Sequence, residues 1–272
     1  MNHILTIDVE EWYHGNYNSL DSNRLQKVSR VESNTEEILE ILENIGARGT
    51  FFILGEVAEK KPSLVKKISQ HGHEIASHGY QHNLVYKYTQ SEFKEDVMKS
   101  KSILEDCIGR QILGYRSPSW SVKKDTTWFY DTLESLGFRY SSSVFPISNY
   151  LYGIKDAPRF FYKPKEQCSI YEVPCSTSLF LNKRIPFSGG FYFRLLPFFL
   201  INYFTNQVFL EDNPVLFYLH PREIDPFQPR LSLTSSFESF VHHYGITNCR
   251  NKFFKLLNQY KLTSIQDFYS FR

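Results

Sequence analysis

Cysteine is scarce in this chain and follows no pairing pattern. Cys107, Cys168, Cys175 and Cys249 are the only four in 272 residues, and no two stand in a Cys-x-x-Cys spacing. That excludes a disulfide framework and a cysteine zinc knuckle, and leaves four reduced thiols of an intracellular protein as the expectation. Long hydrophobic runs are missing too. The most apolar stretch, Phe191 to Phe204, is interrupted by Arg194 and Pro197 and falls short of the roughly 20 apolar residues that a membrane span needs. Peripheral contact with a membrane is the most it is expected to make. No basic leader with an apolar segment and a small-residue cleavage site is evident, so the expected location is cytoplasmic, at most the inner face of the membrane. Charge of one sign is lacking: 31 Lys and Arg against 29 Asp and Glu leave a net +2. With no long basic run, no nucleic-acid partner is expected. Repeats, low-complexity segments and composition breaks are absent. Residues 1–272 therefore read as a single domain, long enough to bury its own core.

What the chain has in quantity is aromatic residues, 17% of the total, which suit a packed core and stacking walls in a cleft. Apolar runs predict strands at His3–Asp8, Thr50–Leu54, Glu74–Ser77, Leu113–Arg116, Phe138–Ser141, Ile170–Val173, Ser178–Leu181, Val215–Leu219 and Thr263–Ile265. Helical periodicity predicts helices at Ser33–Ile45 (capped by Ser33 with Glu36), Pro62–Gln70, Thr89 to about Cys107, Thr126–Leu136, Phe191–Asn206 with a kink at Pro197, Phe237–Tyr244 and Cys249–Tyr260. The region 146–168, with Pro146, Pro158 and Pro164, reads as a loop insertion. Strands alternating with helices call for parallel βαβ units, and the economical arrangement is an α/β fold in which those units form a barrel.

Two histidines four apart, His78 and His82, lie on one side of a helical turn or of a tight loop. Either placement lets both imidazoles reach one divalent ion, and a hydrolytic site of that kind usually adds a third ligand, often a carboxylate. Asp8 and Glu10 stand upstream at the end of the first strand, where the two-residue period puts both on the same side and Glu11 on the other. His14 is a nearby rival ligand. Asp8, Glu10, His78, Arg116 and His220 all fall at C-terminal ends of predicted strands, where β/α barrels keep their active sites.

In order, these motifs resemble the polysaccharide deacetylases of the NodB-homology type, carbohydrate esterase family 4. Thr6 to Glu10 resembles the first family motif, His78-x-x-x-His82 the second, Arg116-Ser117-Pro118-Ser119-Trp120 the third, Leu136 to Ser143 the fourth and Leu219-His220-Pro221 the fifth. The closer likeness is to a subgroup with Asp-Val-Glu in the first motif, a Gly-Gly-x-Tyr-Phe-Arg stretch (here Gly189 to Arg194) and a tail like His220 to Pro226. The resemblance implies a distorted (β/α) barrel with fewer strands than a full eight-stranded one. It also implies Asp8 as catalytic base, His220 as catalytic acid and Arg116 as the residue that steadies the base. Glu10, His78 and His82 would bind one divalent ion, zinc first, with cobalt, nickel or iron as alternatives. Trp120, Tyr192 and Arg222 are the expected substrate wall.

The implied reaction removes an N-acetyl group from a sugar, either an acetylated glycan or a lipid-linked precursor, in making a bacterial surface polysaccharide. The chain departs from the family pattern in two places. Its first motif spaces the acids as Asp-x-Glu where the family has adjacent acids, and Ser141 stands where the fourth motif often carries an aspartate. What orients His220 must therefore come from elsewhere, with Glu223 and Asp225 as candidates. The alternative readings are a hydrolase of a non-sugar amide, such as a cyclic ureide, and a carbohydrate-binding barrel without chemistry.

Overall fold

The structure, a computed structural model, describes residues 2–18, 20, 28–147 and 152–271. Six strands follow one another in the sheet and run parallel: β1 (His3–Val9), β2 (Thr50–Ile53), β3 (Glu74–Ser77), β4 (Gly114–Tyr115), β5 (Tyr140–Ser141) and β6 (Tyr171–Glu172). An antiparallel hairpin, β7 (Thr177–Phe180) with β8 (Lys183–Pro186), stands apart from the sheet. Then β9 (Leu216–Leu219) and β10 (Leu262–Thr263) return to the other edge of β1, again parallel. β1 is therefore central, and all seven of its residues are buried, which is why its sequence runs apolar almost without a break.

The helices are α1 (Val31–Ile45), α2 (Gly55–Lys60), α3 (Pro62–Gln70), α4 (Gln90–Ile108), α5 (Phe129–Ser135), α6 (Gly190–Leu195), α7 (Phe198–Phe209), α8 (Ser236–His243), α9 (Ile246–Gln259) and α10 (Ile265–Tyr269). The larger apolar core joins the sheet to the inner faces of α1, α3, α4, α7 and α9. The result is a parallel sheet curled into a half-barrel, a distorted (β/α) barrel as expected. Among the described residues β6 and β9 do not pair. The segment between them bridges the opening instead: Gly189 forms a parallel bridge with Tyr218, and the Ser176 hydroxyl accepts the Leu216 N–H at 2.8 Å. None of the described helices is long and apolar enough to cross a membrane.

Several sequence expectations need correction. α1 starts at Val31 without a side-chain cap, and the Ser33 hydroxyl donates to the Arg30 carbonyl instead. Glu36, the expected capping partner, is drawn to Lys67 at 2.6 Å. The helix expected from Thr126 begins only at Phe129, because Thr126 Oγ1 closes a turn onto Lys123. Proline breaks the Phe191–Asn206 helix outright. Leu196 takes an extended conformation (φ −74°, ψ 140°) ahead of Pro197, as the ring of a following proline demands. Short α2, α10 and β8 went unforeseen, since runs of four to six residues carry too little periodicity to read. The described part of the expected loop insertion holds no helix, and its residues 148–151 lie outside the described set.

Gly189 shows how closely the bridging segment is packed. A Cβ there would lie 2.2 Å from the Tyr218 carbonyl oxygen and 2.2 Å from its ring. The exclusion is steric, because the backbone is extended (φ −178°). Gly189→Ala should lower stability by about 2–3 kcal/mol, read as a fall in the urea midpoint with the slope unchanged.

Candidate active site

Four parallel strands deliver the chemistry at their C-terminal ends. β1 supplies Asp8 and then Glu10, β3 runs into His78, β4 into Arg116 and β9 into His220. His82 arrives by a tight loop and not a helical turn. Gly79 and His82 both take left-handed backbone conformations (φ +76° and +55°), folding the chain so that the two imidazole centroids lie 5.4 Å apart.

Glu10, His78 and His82 are all buried and place one ligand atom each within 4.8 Å of one another. Glu10 Oε2 lies 2.6 Å from His82 Nε2 and 3.7 Å from His78 Nε2. It nonetheless has no hydrogen bond of acceptable geometry, one of the buried polar atoms left in that state. A carboxylate oxygen and two imidazole nitrogens turned on one point fit a shared cation. The donor set is that of a divalent transition ion. Around it the second contacts are in place. His78 Nδ1 meets the Arg116 carbonyl at 2.9 Å, which puts the proton on Nδ1 and leaves Nε2 as the ligand atom. His82 Nδ1 meets the Asn16 side-chain amide at 3.1 Å. Burial works against ionising Glu10, but the flanking histidines outweigh it and hold its carboxyl well below the usual range. His14 is not a fourth member: its Nε2 pairs with Glu56 at 2.9 Å.

Asp8 is held by Arg116, whose Nη1 lies 2.6 Å from Oδ1. That guanidinium is fully buried and spends its other donors on Thr6 Oγ1 (2.8 Å), the Ser142 carbonyl (3.1 Å) and Ser142 Oγ (2.9 Å). Its flat faces lie against Phe52 and Trp120, 4.1 and 4.6 Å from the ring centroids.

His220 Nε2 faces this pair, 3.9 Å from Asp8 Oδ2 and 3.8 Å from Glu10 Oε1. Its Nδ1 meets Glu223 Oε2 at 3.1 Å, and the same oxygen accepts the His220 N–H at 3.0 Å. Glu223 is in turn fixed by Arg194 Nε at 2.7 Å. Burial presses the His220 pKa down, yet the Glu223 charge and hydrogen bond outweigh it, aided by Glu10 and Asp8, and the pKa ends above its ordinary value. Of the two residues weighed for orienting His220, Glu223 does so. Asp225 bonds Arg30 and Asn34 instead. Ser141, at the expected aspartate position, hydrogen-bonds Ser143 at 2.8 Å behind the site.

A cavity of about 320 Å3 opens over these groups. Of the nine residues singled out from sequence, Asp8, Glu10, His78, His82, Trp120, Tyr192, His220 and Arg222 line it, and Arg116 sits behind Asp8. Trp120 is only 6% exposed, so it packs against Arg116 and Tyr218 while offering one part of its ring to the cavity. Sequence reasoning assigned nothing to Tyr17, Asn16 or His242, which also line the cavity, and gave Arg194 no role beyond the substrate wall. Arg194 was legible as part of the Gly189–Arg194 stretch, and Glu223 by its place three residues after His220. Tyr17 and Asn16, in irregular chain after β1, gave no signal.

An open parallel half-barrel whose strand ends carry a His-His-carboxylate cluster, an arginine-held aspartate and a carboxylate-held histidine is the arrangement of barrel-type hydrolases. Residues 21–141 match the polysaccharide deacetylase family model, and residues 142–270 match a domain of unknown function, DUF3473. The part of the chain up to residue 141 thus belongs with the polysaccharide deacetylases, and the remainder with that second family. A peptidoglycan-N-acetylglucosamine deacetylase of Bacillus cereus is 31% identical over 115 residues, covering 38% of this chain and 42% of that protein. A peptidoglycan deacetylase of Helicobacter pylori is 27% identical over 142 residues, covering 51% and 47%. The chain therefore spans less than half the length of these curated relatives. A solved structure described as a putative polysaccharide deacetylase from Mycobacterium smegmatis superposes with a TM-score of 0.64 at 18% identity, covering 98% of this chain and 88% of that one. That match supports the fold.

Two outcomes test the site's construction. Arg116→Met strands the buried Asp8 carboxylate and should cost about 3–5 kcal/mol, seen as a drop in Tm on the order of 10 °C. Glu223→Gln removes the charge that raises His220 while leaving its burial, so His220 should titrate at lower pH than in the wild type, followed by NMR of its imidazole.

Proposed function

We propose that this protein is a metal-dependent hydrolase that removes the N-acetyl group from an acetamido sugar of a bacterial surface glycan. One observation carries the reading: Asp8, a buried carboxylate held by Arg116, and His220, an imidazole held by Glu223, face each other beside the Glu10–His78–His82 cluster. The names of the Bacillus cereus and Helicobacter pylori relatives support the acetamido sugar.

A divalent ion held by Glu10, His78 and His82, zinc by our assignment, would supply Lewis acidity toward the acetamide carbonyl and the attacking water. The remaining work falls to the chain's own groups. Asp8 takes the proton from water, and Arg116 keeps its free oxygen aimed into the cavity. His220 enters the reaction as imidazolium, with Nδ1–H spent on Glu223 and Nε2–H turned to the cavity, and gives the Nε2 proton to the departing amine. Without that proton the amine is a poor leaving group. A buried glutamate and Arg194 behind His220 stop it from turning away between steps. Trp120 and Tyr192 close the cavity as apolar surface for a sugar ring. A binding barrel without chemistry would have no use for a proton acceptor and a proton donor held so tightly together. A metal-free amidase would leave Glu10 Oε2 without a partner.

The test begins with metal content by mass spectrometry. About one divalent ion per chain is expected in the wild type, and loss of that ion in the His78→Ala, His82→Ala double variant. Acetate release from N-acetylglucosamine oligomers should then fall by about 10²–10⁴ in kcat for Asp8→Asn and for His220→Ala, with the metal retained. Unchanged turnover in His220→Ala would show that the acid lies elsewhere.

A further inference from the structure

One cation that lines the cavity has no carboxylate in ion-pair contact among the described residues. Asp8 is matched by Arg116. Glu223 is matched by Arg194 and His220. Arg194 is committed through all three nitrogens: Nε bonds Glu223, and the two terminal nitrogens bond the carbonyls of Tyr244 and Val241. Arg222 is different. Among the described residues no carboxylate lies within ion-pair distance of it, and its only hydrogen bonds run from Nη1 to the His242 carbonyl (3.2 Å) and toward His242 Nε2 (3.4 Å). It is 8% exposed and lines the cavity. Glu10 and Glu223 act on it only through space: Glu10 faces the histidines and Glu223 bonds Arg194 and His220.

A guanidinium buried to this degree without a carboxylate is costly to keep. Its Nε–H and second terminal NH2 have no partner among the described residues, and a two-pronged fork of this kind matches the geometry of a carboxylate. A second donor stands next to it. Burial and the neighbouring Arg222 push His242 well below its ordinary pKa, so the ring is neutral. With Nε2 accepting from Arg222, its proton sits on Nδ1 and is donated to the Tyr17 oxygen at 3.3 Å. Burial keeps the Tyr17 phenol protonated, and its own O–H is then left to donate into the cavity that Tyr17 also lines.

We propose that Arg222 and Tyr17 bind a carboxylate on the substrate, so that the sugar deacetylated here is an acidic one. The acetamido group lies at the Asp8–His220 pair and the acid group against this wall. The sugar part of the proposal rests on the deacetylase reading above; the anion site does not. A carboxylate fits better than a phosphate because the wall offers one unmatched positive charge, enough for a monoanion, with a neutral phenol beside it.

The experiment is a calorimetric titration of the zinc-loaded protein with three probes. These are N-acetylmuramic acid, which carries a carboxylate on an acetamido sugar, its carboxamide, and N-acetylglucosamine 6-phosphate. The acid should bind roughly tenfold tighter than the carboxamide. That ratio should collapse toward one in Arg222→Gln, survive in part in Arg222→Lys, and shrink in Tyr17→Phe. A residue that served only to hold the wall together would weaken both ligands equally and leave the ratio intact. Equal binding of acid and carboxamide by the wild type overturns the proposal, as does an unchanged ratio in Arg222→Gln. Arg222-dependent binding of the phosphate tighter than the acid overturns the carboxylate assignment. If Arg222→Gln fails to fold by circular dichroism, the Arg222→Lys and Tyr17→Phe ratios decide. A preserved ratio with no acetate released from any probe would sink the deacetylase reading and leave the anion site standing.

Discussion

The Arg116 guanidinium, at zero exposure beneath the cavity floor, is the constraint on which the rest of the site depends. A cation there is tolerable only because Asp8, Thr6 and Ser142 accept four of its hydrogen bonds and two aromatic faces sandwich it. Those partners come from β1, from β2, from the chain just after β5 and from the turn after β4, so one side chain ties four parts of the sheet together. The same residue's backbone carbonyl fixes the His78 ring. Moving Arg116 would misplace the proton acceptor and a candidate metal ligand together. Precision at the reacting atoms is thus inherited from a buried electrostatic contact several bonds away.

The boundary between the two matched families, at residues 141 and 142, is not a boundary in the structure. β5 ends there and pairs with β4 on one side and β6 on the other, while β9 from the second region pairs with β1 along four residues. The cavity is divided in the same way. The first region supplies His78, His82 and the Arg116 support; the second supplies His220, Glu223, Arg194 and Arg222. Asp8 and Glu10 precede the first matched region, so neither region alone holds both the proposed proton acceptor and the proposed donor.

Much of this was legible in the sequence because it depends on local rules. The two-residue strand period placed Asp8 and Glu10 together, the ends of β3 and β9 placed the histidines, and α4 starts after Thr89, which caps it with Glu92. What escaped lies in contacts with no local signature. The Arg194–Glu223 pair joins residues 29 apart, and the Tyr17–His242 contact joins residues 225 apart. Ser33 shows the opposite error: a locally sound cap lost to a long-range contact, when Glu36 found Lys67. The first candidate for orienting His220 turned out right for a local reason, three residues being one turn of the short helical segment after β9.

The position of β1 also sets an order of events. Its partner β9 lies about two hundred residues further along; Thr6 and Phe217, which share a hydrogen bond, are 211 apart. At roughly 5–20 residues per second of synthesis, β1 spends on the order of 10–40 s with that edge unclaimed. Over that interval the strand bearing Asp8 and Glu10 can pair with β2, and β2 with β3, but it cannot form its site. It is also an apolar edge open to wrong partners. The emerging chain therefore passes through a state in which Glu10, His78 and His82 are nearly assembled while His220, the proposed proton donor, does not yet exist. Shielding of that edge during synthesis is a demand that the parallel topology itself imposes.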